Sequence, residues 1–164
     1  MAETKKNLMD AFAGESQANR KYLAYADKAE KEGFSQVAKL FRAAAHAETI
    51  HAHAHLRLAG KIHDTMANLE DAIAGETYEF TKMYPEMIKD AEAEGNKAAA
   101  SYMKWVNTVE EVHANLYKKA LAAKGQMENA DYYVCTVCGY THEGPHDGPC
   151  PVCNAAAKAF EKMA

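Results

Sequence analysis

Landmarks in the first half of the chain return in the second at a nearly fixed interval. Ala11-Phe12-Ala13-Gly14-Glu15-Ser16 is matched by Ala72-Ile73-Ala74-Gly75-Glu76-Thr77, Glu32-Gly33 by Glu94-Gly95, and Glu48-Thr49-Ile50-His51 by Glu110-Glu111-Val112-His113. Glu15 and Glu76 lie 61 residues apart, and the other two pairs 62. That interval holds one helical hairpin. A duplicated helical hairpin folds naturally into a four-helix bundle with approximate two-fold symmetry.

Local signals agree with helices. Residues 4–124 are rich in Ala, Glu, Lys, Leu and Met, with apolar positions returning at three- and four-residue steps. Glycines at Gly33, Gly60, Gly95 and Gly125 punctuate that pattern, and Ser35, Asp64, Thr65 and Asn96 supply capping residues after them. Four helices are therefore expected over about 4–32, 36–59, 65–94 and 97–124. Pro85 falls inside the third and predicts a kink or local break near Tyr84-Pro85.

The acids of the repeat fall on apolar stripes. Leu8, Ala11, Glu15, Tyr22 and Ala26 share one helical face; Val37, Leu40, Ala44, Glu48 and His51 share another; Leu69, Ile73, Glu76, Phe80 and Met83 a third; and Met103, Val106, Glu110, His113 and Tyr117 a fourth. Such faces should turn toward a core, and burying four uncompensated glutamates would cost several kcal/mol each or force them to protonate. Two divalent cations supply the missing charge, and oxygen-rich ligation with a few imidazoles suits iron or manganese. A single glutamate in an Ala/Glu/Lys-rich helix is more simply a solvated surface acid; six residues matched across two repeats are not. Glu79 follows Glu76 on the same face, whereas the corresponding position in the first half is Ala18, so on chemistry alone Glu79 stands open between ligand and surface acid. His46 and His53 point away from the Glu48 face, and His55 returns to it one turn beyond His51.

From Gly125 the composition changes. Residues 126–132 read as a polar linker, and 133–164 hold all four cysteines and three of the four prolines. The domain expectation is thus 1–125 for the bundle, 126–132 for the linker and 133–164 for a small module. Cys135-x-x-Cys138-Gly139-Tyr140 and Cys150-Pro151-x-Cys153 form two knuckles able to close one tetrahedral sulfur site. Spacing alone leaves structural zinc and a single redox iron open; a redox-capable bundle beside the module favours iron. A tail this small depends on its metal to fold, with Tyr132, Tyr133, Tyr140 and Phe160 as its expected core.

Net charge is −4, with basic residues scattered among acids, which disfavours a nucleic-acid partner. The N-terminal segment MAETKKNLMDAFAGE has no apolar signal region, and no stretch has the length of a membrane helix, so a soluble cytoplasmic protein with no membrane partner is expected.

In combination and in order, Gly14-Glu15-Ser16-Gln17-Ala18, Glu48/His51, Glu110/His113, Gly75-Glu76-Thr77-Tyr78-Glu79, Met83-Tyr84-Pro85-Glu86 and the two cysteine knuckles resemble the rubrerythrin family across essentially the whole chain. The resemblance implies a mainly α, ferritin-like four-helix bundle with a C-terminal rubredoxin-like module. Its implied cofactors are two non-haem Fe ions in a di-iron centre and one Fe in a four-cysteine site. It also implies Glu15, Glu48, His51, Glu76, Glu79, Glu110 and His113 as di-iron ligands, with Glu48 and Glu110 bridging, and Cys135, Cys138, Cys150 and Cys153 around the single iron. On reduction Glu79 would give way to His51 as a ligand, and Tyr22 and Tyr84 correspond to tyrosines that hydrogen-bond near the ligands.

The activity implied is reduction of hydrogen peroxide in oxidative-stress defence. Electrons would come from a rubredoxin or a pyridine-nucleotide-dependent reductase, and the donating iron would face the di-iron centre of another subunit in a head-to-tail homodimer. Two other readings stand beside it: a ferroxidase or iron-handling protein using oxygen, and a zinc-ribbon interaction protein whose bundle is only a scaffold. His142 and His146 lie in the loop between the cysteine pairs, with no role assigned from sequence.

Overall fold

The computed structural model describes residues 3–163, as five α-helices followed by a small sheet. Helix α1 spans Glu3–Lys31, α2 Ser35–Leu58, α3 Thr65–Tyr78, α4 Tyr84–Ala93 and α5 Lys97–Ala122. The strands are β1 Tyr132–Cys135, β2 Thr141–Glu143 and β3 Phe160–Lys162. Helix limits agree with the sequence reading to within two residues. The chain divides into two compact units, one ending at His63 and one beginning at Asp64. The boundary separates the two copies of the repeat, and the second copy carries the cysteine module.

In the first unit α1 and α2 form a hairpin whose seam is made of alanine. Ala26, Ala29, Ala38, Ala45 and Ala52 are buried, whereas Leu40 is 67% exposed and Val37 45%. The periodicity of α2 suggests a core stripe through Val37, Leu40 and Glu48. The smallest side chains form the seam instead, because they let the two backbones approach closely. Asn19 uses that proximity. Its amide donates to the Ala45 carbonyl (2.7 Å) and to Thr49 Oγ1 (2.8 Å), tying α1 one turn after Glu15 to α2 beside Glu48. The turn closes on Gly33 at φ 84°, a left-handed conformation that favours glycine, with the Phe34 amide donating to the Ala29 carbonyl.

In the second unit Asp64 caps α3 by accepting from the Ala67 amide (3.0 Å), and Asn96 caps α5 by accepting from Ala99 (3.2 Å). The disturbance expected at Tyr84-Pro85 takes a specific form. Helices α3 and α4 run on through a π-helical turn, Glu79–Met83, in which the Tyr84 amide donates to the Glu79 carbonyl five residues back. Pro85 has no amide hydrogen to offer the preceding turn, so the ladder widens just ahead of it and no break is needed.

The module is a three-stranded antiparallel sheet in the order β2-β1-β3, with Val134 opposite Thr141 and Cys135 opposite Phe160. Its core continues into α5. Val109, 2% exposed, clusters with Cys135, Cys138 and Cys150, and Trp105, Tyr140, Val152 and Phe160 pack around them. Tyr140 and Phe160 thus take the core positions expected of them, while Tyr132 and Tyr133 lie half-buried on β1 outside that cluster. Lys119 of α5 also pairs with Glu143 of β2.

Replacing Val109 with Ala removes two buried carbon atoms from this shared core and should cost about 2 kcal/mol. Denaturant unfolding followed by the single tryptophan, Trp105, measures it. An unchanged midpoint would show that the module does not depend on its seat on α5.

Candidate metal centres

Glu48 and His51 stand one turn apart on α2, and Glu15 reaches them from α1, so that ligand atoms of all three lie within 4.8 Å of one another. His51 Nδ1 is 2.9 Å from Glu48 Oε2. The second unit repeats the arrangement with Glu76 of α3 and Glu110 and His113 of α5, where His113 Nδ1 is 2.8 Å from Glu110 Oε2. The chain therefore folds two acid-acid-imidazole triads, one in each copy of the repeat.

The copies differ in their surroundings. The His51 side chain is 54% exposed, but that of His113 is 27% exposed and its Nε2 lies 3.0 Å from Thr141 Oγ1. Burial pushes the Glu76 carboxyl above the ordinary range, and the Glu110 charge adds to it. Glu79 is likewise raised, by burial and then by Glu76. It lies outside the 4.8 Å triad yet within the same field, at the first residue of the π-helical turn. Tyr84, which closes that turn, has its phenol pushed up by burial and then by Glu110 and Glu79, so its hydroxyl remains a proton donor beside the acids. Tyr22 sits otherwise: its ring packs against Tyr25 and Phe41, at centroid distances of 6.4 and 6.1 Å.

A cavity of about 480 Å3 reaches the second triad, walled by Leu69, Met127 and Tyr132, with Glu76, His113 and Thr141 among its polar groups. Water and small solutes can reach those ligands through it. The triads fit hard divalent or trivalent cations, because oxygen donors clustered this closely gain most from positive charge between them.

The four cysteines are free and gather their sulfurs within 4.8 Å. Cys135 and Cys153 Sγ are 3.7 Å apart, and Cys138 and Cys150 3.6 Å. A tetrahedral ion with metal–sulfur bonds of about 2.3 Å requires edges of about 3.8 Å, so the cage fits. Its two knuckles are built alike: Gly139 donates to the Cys135 carbonyl (2.8 Å) and Asn154 to that of Cys150 (2.9 Å). Gly139 has φ 84° and Asn154 φ 60°. Burial pushes the Cys138 and Cys153 thiols up; it opposes ionisation of Cys135 too, but amides of Cys138 and Val137 hold that thiol below its ordinary value. Full ionisation of the cage therefore needs a cation.

Comparison with known proteins agrees with this geometry. The family model described as rubrerythrin matches residues 6–121, and that of the rubredoxin-like domain of rubrerythrin matches 133–161. The chain belongs to the rubrerythrin family. Curated relatives include a nigerythrin of Nitratidesulfovibrio vulgaris, 34% identical over 93% of this chain and 83% of that one, and a rubrerythrin of the same organism, 34% identical over 99% and 95%. A rubrerythrin of Porphyromonas gingivalis is 33% identical over 99% and 90%. The solved structure of nigerythrin in a partially reduced state superposes with a TM-score of 0.60 at 32% identity, covering 99% of this chain and 88% of the other.

The fold is accordingly the ferritin-like one with a rubredoxin-like module, and the cofactors are those of rubrerythrins: a non-haem di-iron centre and one iron in a four-cysteine site. Rubrerythrins are iron-dependent oxidoreductases associated with oxidative stress. No helix among the described residues is long and apolar enough to cross a membrane. Sequence reasoning overlooked Asn19, Thr141 and Asn154. Only Asn154 left a signal, since Asn is the residue other than glycine best suited to a left-handed knuckle.

Raised carboxyls give the metal-free protein a defined pH response. Glu76 and Glu79 bind protons more tightly folded than unfolded, so their contribution to stability is greatest below the ordinary glutamate value and is lost as pH rises through the raised ones. Melting temperatures of the metal-free protein should fall across that window. Glu79→Gln should flatten the slope, and an equal slope in the variant would contradict it.

Proposed function

We propose that this rubrerythrin reduces hydrogen peroxide to water, with electrons relayed through the four-cysteine iron. The observation carrying the reading is the pairing of two acid-acid-imidazole triads with a four-sulfur cage whose module is hydrogen-bonded to one of them, Thr141 to His113. Iron held by the triads would supply the two electrons that peroxide reduction requires, and iron held by the four cysteines would supply their replacement singly.

The chain's own residues would divide the remaining work. Glu15, Glu48, His51, Glu76, Glu79, Glu110 and His113 are the proposed di-iron ligands, and Cys135, Cys138, Cys150 and Cys153 hold the single iron. Reduction of peroxide to two waters consumes two protons, and the acids and phenol at the second triad can hold and pass them: Glu76 and Glu79 have raised affinity for protons, and Tyr84 keeps its hydroxyl hydrogen. The His51 ring is exposed whereas that of His113 is held by Thr141, so the first would be the freer to join or leave a bound ion and the second the more fixed.

The proposal includes residues 1–125 as the di-iron domain, 126–132 as linker and 133–164 as the electron-transfer module. It also includes a cytoplasmic homodimer served by a rubredoxin or a pyridine-nucleotide-dependent reductase.

Stopped-flow mixing of the fully reduced protein with peroxide and with oxygen tests the substrate. Oxidation by peroxide should be the faster, by about tenfold or more; faster reaction with oxygen would overturn the reading in favour of a ferroxidase. Cys150→Ser should abolish reductant-driven turnover yet leave one turnover of pre-reduced di-iron protein. Loss of both together would contradict separate duties for the two sites.

A further inference from the structure

We propose that His142 and His146, between the two cysteine knuckles, form a binding site for a divalent transition-metal ion of the zinc, copper or nickel class, separate from the iron sites. Neither residue has a part in the metal centres described above, and both rings are held in place. His142 lies on β2 opposite Tyr133 of β1. The His146 ring packs against Phe160, with centroids 4.4 Å apart and an interplanar angle of 39°, and Tyr140 stands edge-on to it at 6.4 Å. The two imidazole centroids are 5.0 Å apart.

Backbone carbonyls set the state of each ring. His142 Nδ1 is 3.0 Å from the Gly144 carbonyl oxygen, and His146 Nε2 is 3.1 Å from that of Pro149. A carbonyl can only accept, so each of these nitrogens carries the hydrogen. In a neutral imidazole the lone pair then belongs to the other nitrogen, Nε2 of His142 and Nδ1 of His146. Among the described residues neither of those two atoms has a hydrogen-bond partner. Histidines that ligate metals characteristically donate their second ring N–H to a backbone carbonyl, a carboxylate or water, which holds the tautomer and aims the ring. His142 and His146 both have that arrangement, and the carbonyl that holds His146 belongs to the residue before Cys150.

The spacing of the rings suits one shared ion. With metal–nitrogen bonds of about 2.0–2.1 Å, each ring centroid lies roughly 3.2 Å from the ion, and a tetrahedral angle between the bonds places the centroids about 5.2 Å apart. The observed 5.0 Å needs little adjustment. Imidazole is a ligand of borderline softness that suits zinc, copper and nickel, whereas the glutamate triads suit harder ions. Both residues are half-buried, so water can complete the coordination. Because ring packing and hydrogen bonds already order both side chains, little rotamer entropy is lost on binding.

The test titrates the full-length protein, with ferric iron in the di-iron and four-cysteine sites, with zinc at neutral pH in a calorimeter. His142→Phe and His146→Phe keep a ring in each place and remove its donor. Each should weaken zinc uptake by about tenfold or more, whereas His53→Ala, at an exposed position of α2, should not. The visible absorption of the ferric four-sulfur site reports that each variant retains a folded module.

X-ray absorption at the zinc edge, which does not see iron, reads the ligands directly: two imidazole nitrogens at about 2.0 Å in the parent, and fewer than two in either variant. No zinc uptake by the parent, or equal uptake by both Phe variants, overturns the proposal. So does sulfur around the zinc together with bleaching of the four-sulfur absorption, which would mean that zinc only displaces iron from the cysteine cage.

Discussion

Several carboxylates must be withdrawn from water side by side, and most of the molecule answers to that requirement. The Glu48 and Glu110 side chains retain only 18% and 14% of their exposure, while Glu76 and Glu79 already hold protons more tightly than free glutamates do. Such groups can be stabilised by protonation or by cations. Protonation leaves no site for chemistry; cations make one. Each triad adds only one imidazole to its acids, so bound cations would relieve the repulsion among them and stabilise the fold. The cysteine cage obeys the same logic with softer donors, since burial raises two of its thiols.

Geometry then has to hold the acids together while they repel. In the first hairpin the alanine seam does this, because helices in contact through Ala26, Ala38 and Ala45 leave little freedom to slide, and Asn19 pins the remaining axial shift by bonding both Ala45 and Thr49. In the second, the π-helical turn brings an additional acid, Glu79, into the field of Glu76 and seats Tyr84 among the charges. A widened turn strains a helix, and its position at a charged cluster is where such turns are often found. Duplication thus supplied two similar hairpins, and local departures from the repeat made them unequal.

The two triads and the cysteine cage were legible from spacing because ligands on one helix must obey its 3.6-residue period, and Glu-x-x-His obeys it twice. Helix limits were legible from glycines and caps for the same local reason. Contacts between segments were not. Nothing in the pattern of α2 separates an alanine seam from a stripe through Val37 and Leu40, since both repeat at helical spacing and burial decides between them. Pro85 announced a disturbance but not its form, because a kink and a widened turn both satisfy the missing hydrogen bond. Thr141 could not be found at all: its partner is 28 residues away, and a lone threonine at the start of a strand has no periodicity to betray it.

Module and bundle are usefully thought of as sharing α5. One ridge of that helix, Trp105 and Val109, completes the core of a module too small to make its own, and the next step of the same ridge is His113 of the second triad. Folding of the cysteine cage and placement of His113 are therefore mechanically linked, since the helix that seats one aims the other. The hydrophobic core of the module is thus partly built from the helix that carries His113 of the second triad, so that one folding event places both.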